Sequence, residues 1–137
     1  MPVAGTPEEG QRADVELRLP ADSAYVSVLR TTTASLAARL DFTIDDIEDL
    51  RIAVGEACAL VLPDADPASP LVAEFFLSPG RLTVRVTING SELSQPDHDS
   101  FAWQVLDTLA PGAVAEVVGD SLLVTLSMQA ETLEPSL

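Results

Sequence analysis

The stretch from Thr43 to Val61, reading TIDDIEDLRIAVGEACALV, constrains this chain more than any other part of it. Ile44, Ile47, Leu50, Val54, Ala57, Cys58 and Val61 recur at three and four residues, a stripe that only a helix laid on a core can bury. Thr43 with Asp46 three residues later is a capping-box-like start. Asp45, Asp46, Glu48 and Asp49 suit the positive end of a helix dipole, and Pro63 stops the run. Glu56 is the one carboxylate in the apolar second half. It sits off the centre of the stripe, beside Ile52, Ala59 and Leu60, so it is either a solvated residue or the wall of a pocket.

Around that helix the chain reads as one folding unit. Residues 1–12 are rich in Pro, Gly and Glu and are expected to be flexible. Val15 to Leu19 alternates like a strand and stops at Pro20. Asp22 or Ser23 can cap a first helix whose inner face is expected to be Tyr25, Val28, Leu29, Thr32, Leu36 and Leu40. After a Pro-rich loop at 63–70, Leu71–Leu77 and Arg81–Ile88 form a hairpin about Ser78-Pro79-Gly80. A polar loop at 91–99 leads to a short helix, Ser100–Leu109, expected to turn Phe101, Val105, Leu106 and Leu109 inward. Val114–Val118 and Ser121–Met128 make a last hairpin about Gly119-Asp120. This order implies a single α+β domain over 13–129 with a C-terminal tail at 130–137. Its form is a two-layer sandwich, a mixed β-sheet with helices on one face.

Composition narrows the function classes. With 137 residues, 47% of them hydrophobic, the chain can build one real core. It has no apolar run of the roughly 18 residues a membrane span needs, and no basic-then-apolar leader pattern at its start. A single cysteine rules out an internal disulfide and fits a reducing cytoplasm. A formal net charge of −15 argues against direct nucleic-acid binding and favours a basic protein partner. Other signals are weaker. Asp97-His98-Asp99 reads as a solvated loop rather than a metal site, Cys58 as a buried inert thiol, and Phe101 with Trp103 as core aromatics.

The run from Ile47 to Cys58, IEDLRIAVGEAC, resembles the Asn-box helix of the bacterial anti-sigma factor serine kinases, the RsbW-like members of the GHKL ATPase superfamily. Tyr25 to Arg30 and Ala38 to Phe42 are similar to that family's first helix and following turn, and the element order is the minimal GHKL (histidine-kinase-like ATPase) fold. The resemblance covers roughly residues 14–128 and is sharpest over 23–60. It implies that Glu56 stands where the family's glutamate activates the reacting hydroxyl. Leu60 stands where an asparagine holds the magnesium of ATP, yet leucine offers no oxygen to a hard cation. Ile88 takes the place of the adenine-reading aspartate, Gly90 keeps its glycine, and Ser100 to Trp103 replaces the glycine-rich phosphate box. Arg30 matches the arginine that meets the sigma factor and its rival, with Tyr25 and Val26 beside it. Following Leu29 by one residue, Arg30 is expected to point to solvent.

The expectation is therefore a degenerate, cytoplasmic anti-sigma factor that binds no metal and no cofactor. It would sequester an alternative sigma factor of the stress or sporulation type and release it to a STAS-type anti-anti-sigma protein. The family also implies a homodimer, paired through the first helix and strand. Two alternatives stay open. One is an active serine kinase of the anti-anti-sigma protein, using Glu56 with magnesium and ATP; the other is a GHKL-like interaction module for a different partner.

Overall fold

The structure, a computed structural model, describes residues 7–8 and 10–130. Its strands are β1 (Val15–Pro20), β2 (Pro70–Ser78), β3 (Arg81–Asn89), β4 (Val114–Val118) and β5 (Ser121–Gln129). Its α-helices are α1 (Val26–Arg39), α2 (Ile44–Val61) and α3 (Phe101–Leu109). Alternation decides which way each strand faces. Ala73 and Phe75 on β2, Val84, Val86 and Ile88 on β3, and Leu122 and Val124 on β5 are fully buried on the side that the helices cover. No helix among the described residues is long and apolar enough to cross a membrane.

The five strands form one sheet in the order β1-β2-β3-β5-β4, and every neighbouring pair is antiparallel. The expected mixed sheet is thus corrected. Two helices separate β1 from β2, so the chain returns to the end it left: Pro20 pairs with Pro70, and β2 runs back along β1. One helix separates β3 from β4, which gives those two strands the same direction. β5 is inserted between them, so that parallel relation never becomes a ladder.

α2 is the middle helix and packs on β3 and β5, with α1 on one side and α3 on the other. Thr43 caps it as its sequence implies, its hydroxyl accepting from the Asp46 amide at 3.1 Å. Leu50, Ala53, Val54, Ala57, Cys58 and Val61 are buried to 0% exposure. Ile44 is not part of this stripe. It occupies the first position of the helix, faces away and is 81% exposed.

Two other helix faces differ from expectation. On α1 the buried residues are Leu29, Thr33 and Ala37, while Tyr25 and Val28 are exposed. Tyr25 belongs to a 3₁₀ turn, Ser23–Tyr25, so a helical count begun there is out of phase. Thr33 can be buried because its hydroxyl donates to the Leu29 carbonyl at 2.8 Å. On α3, Trp103 and Leu106 go inward, whereas Phe101, the first helical residue, is 79% exposed.

The two ends of the α2 stripe are expected to separate in an experiment. Leu50→Ala should destabilise by about 2–5 kcal/mol in urea unfolding. Ile44→Ser should stay within about 0.5 kcal/mol of the parent.

Candidate functional site

The two flanks of α2 are the parts of this fold on which function can be built. On the α1 flank, α2 carries Gly55 where most helices would place a side chain. A Cβ there would lie 3.7 Å from Cδ of Arg30. The Arg30 stem lies over this bare stretch of helix, at a distance that a Cβ would turn into ordinary contact. Arg30 therefore does not point freely to solvent, as its place after Leu29 suggested. It is half-buried against α2, and its Nε is shielded from water with no hydrogen-bond partner among the described residues. Arg51, one turn before Gly55, has its Nε shielded in the same way, with the Glu48 carboxylate at 4.0 Å. A guanidinium with a dry, unsatisfied N–H is a donor waiting for an acceptor.

Val26, the first residue of α1, sits one turn before Arg30, and Tyr25 closes the 3₁₀ turn just ahead of it. Both border a narrow cleft that also touches Leu29, Cys58 and Leu71. The three residues singled out as a partner face thus lie at the 3₁₀ turn and the first turns of α1. Val26 packs against the core, while Tyr25 is 42% exposed.

The α3 flank carries Glu56, which the resemblance sets at the family's activating glutamate. α3 runs antiparallel to α2: Asp46 and Asp49 gather with Leu109 at one end, and Ile52 with Phe101 and Val105 further along. Glu56, one turn beyond Ile52, therefore lies toward the start of α3. It is half-exposed, and its carboxylate has no side-chain partner among the described residues. Leu60, a turn further on, packs against the core. Ile88 is fully buried opposite Leu122 in the sheet.

Gly90 has a structural reason of its own. A Cβ there would collide with the Asp64 carbonyl and the Leu93 side chain. The chain after α2 closes down on this point, the Asp66 amide donating to the Asn89 carbonyl at 2.8 Å. At the start of α3 the Ser100 hydroxyl accepts from the Trp103 amide at 3.2 Å, so the chain itself uses a donor that a phosphate would need. His98 stacks edge-on against Trp103, with ring centroids 4.4 Å apart. The Asp97 carboxylate accepts from the Asp99 amide at 2.9 Å. Among the described residues no three His, Cys, Asp or Glu side chains gather at metal-binding distance.

Sequence reasoning missed two residues here. Gly55 was legible, because a lone glycine inside a helical pattern usually has a packing reason. Leu93 was not, since a leucine in a polar loop gives no sign of what it covers.

Gly55→Ala should leave Arg30 in place, because 3.7 Å is ordinary contact. It should raise stability by about 0.5–1 kcal/mol through helix propensity, read by urea unfolding. Gly90→Ala should instead destabilise by about 1–3 kcal/mol, since backbone stands in the way. Burial pushes the Cys58 thiol up from 9.0 to about 12. Between those values the unfolded chain loses the proton and the folded one keeps it, so stability should fall as pH rises through that window. Cys58→Ala should flatten that fall.

No protein-family model matches the chain. The serine-protein kinase RsbW of Halalkalibacterium halodurans is 39% identical over 92 residues, covering 66% of this chain and 55% of that protein. The RsbW proteins of Bacillus thuringiensis and Bacillus cereus are 37% identical over 78 residues, 56% of this chain and 49% of each relative. The chain spans about half the length of the curated relatives it matches. A solved structure of RsbU and RsbW domains from Mycobacterium tuberculosis superposes with a TM-score of 0.68 at 15% identity. It covers 85% of this chain and 32% of that one, a likeness of fold. Over its matched stretch the chain is similar in sequence to the RsbW serine-protein kinases, and in fold it is similar to a structure that contains an RsbW domain.

Proposed function

We propose that the chain is a cytoplasmic anti-sigma factor acting by binding alone. It sequesters an alternative sigma factor and gives it up to a STAS-type anti-anti-sigma protein that competes for the α1 face around Arg30, Tyr25 and Val26. The observation that carries this reading is the state of α2. It keeps the RsbW-like wording through Glu56-Ala57-Cys58 and then packs a leucine, Leu60, against the core.

The residues present do not fit magnesium and ATP. Leu60 and Ile88 carry only carbon and hydrogen beyond their backbones, Leu93 crowds Gly90, and Ser100 caps the helix that would receive phosphate. What remains is a half-buried Arg30 with an unsatisfied N–H, in a chain with only seven basic residues. The net charge of −15 favours encounter with the basic surfaces of a DNA-binding protein. A homodimer through α1 and β1 belongs to the same reading, since β1 is an edge of the sheet and Tyr25 and Val28 are exposed beside it.

One observation favours the kinase alternative: Glu56 is retained, half-exposed and without a side-chain partner among the described residues. The two readings part on Glu56→Gln. Binding alone expects the variant to hold its partner within about twofold of the parent. A kinase would lose serine phosphorylation of its STAS substrate.

The test is capture of the tagged chain from its native cells, followed by identification of what travels with it. A sigma factor is expected, and Arg30→Ala should weaken the purified pair by about tenfold or more, as loss of a charged anchor does. Absence of any sigma factor, or full binding by Arg30→Ala, would contradict the proposal.

A further inference from the structure

α3 is apolar on two sides, and the core uses only one of them. Trp103 and Leu106 go inward, while Phe101 stands 79% exposed and Ile52, across on α2, 41% exposed. With Val105 and Leu109 these residues line an open hollow of about 440 Å³ between the two helices. Leu109 also borders the neighbouring hollow, whose walls include Asp46 and Asp49. One groove therefore runs from an apolar stretch beside Phe101 to an acidic end at the start of α2. Asp45 and Glu48 lie exposed on the same first turns of the helix. Arg81 is the cation in that end, and its guanidinium reaches toward Gln129 at 3.4 Å.

We infer that this α2–α3 groove is a docking surface for a basic amphipathic helix of a partner protein. The apolar face of that helix lies on Ile52, Phe101, Val105 and Leu109, and its cationic end lies at Asp46 and Asp49. The groove is separate from the Arg30 face and does not depend on what binds there. Its length suits the guest: nine-residue α3 is about 14 Å long, and a segment of about three turns covers it. Charge selects the guest. A second copy of this chain would bring a net charge of −15 to an acidic groove. The chain's own last residues, 131–137, carry Glu131 and Glu134 and no base, so the acidic end repels them as well. A helix with apolar residues at i, i+3, i+4 and i+7 and lysines at one end meets both halves of the groove.

The test uses the intact chain and a synthetic fluorescent peptide of about 15 residues with that pattern of leucine and lysine. Its control is the same composition scrambled to break the helical spacing. Anisotropy titration should show saturable binding of the patterned peptide and about tenfold or weaker binding of the scramble. Phe101→Ser and Ile52→Asp should each weaken binding by about tenfold while leaving the melting temperature unchanged, since both positions are exposed. Asp49→Asn should reduce the loss of affinity between about 0.05 and 0.2 M salt. Four results would overturn the inference. One is no saturable binding, and another is equal binding of the scramble or by Phe101→Ser. A third is self-association that Phe101→Ser abolishes, which gives the groove to a second copy. The last is a gain of about tenfold on deleting 131–137, which gives it to the tail.

Discussion

The seam between α2 and the centre of the sheet holds this molecule together. α2 packs on β3 and β5, its Leu50, Val54, Ala57, Cys58 and Val61 have no exposure, and each large member contributes about 1.5–3 kcal/mol of burial. α1 leans on one flank of α2 and α3 on the other, so the positions of both depend on where α2 lies. The sheet order follows as well, because the α1–α2 pair returns the chain beside Pro20 and makes β2 antiparallel to β1.

The same seam shapes what the chain can do. In a domain that holds a nucleotide, the last turns of the central helix, the end of the central strand and the start of the third helix must keep polar atoms facing a cavity. Here Leu60 packs on the core, Ile88 is fully buried, Gly90 is closed over by Asp64 and Leu93, and Ser100 uses a terminal amide of α3. Each of these positions makes an internal contact, which is the basis of the binding-only reading proposed above. On the flanks of α2, Arg30 is seated against Gly55 on one side, and Phe101 lies with Ile52 on the other.

Much of this was legible because it depends on local periodicity. The strands alternate, the acids and Thr43 start α2, and Pro63 and the glycine turns punctuate the chain as their backbones require. The resemblance of residues 47–58 to the RsbW-like helix gave the candidate site its coordinates in the chain. What stayed hidden was rotational phase and contact between distant segments. The buried face of α1 centres on Leu29, Thr33 and Ala37, four residues apart, and leaves Val28 outside, while Tyr25 belongs to a 3₁₀ turn ahead of the helix. Phe101 and Trp103, two residues apart on a helix, could not share one face, so the core took Trp103 and left Phe101 outside. The sheet is antiparallel rather than mixed because β5 lies between β3 and β4, a matter of strand order that no local pattern records.

The most direct measurement is titration calorimetry of the purified chain with ATP and magnesium at near-millimolar nucleotide. The account expects no saturable heat and no thermal shift, because carbon side chains occupy the positions that would hold adenine and the metal. Clear saturable binding would contradict it, and would mean that the contacts made by Leu60, Leu93 and Ser100 open to admit a nucleotide.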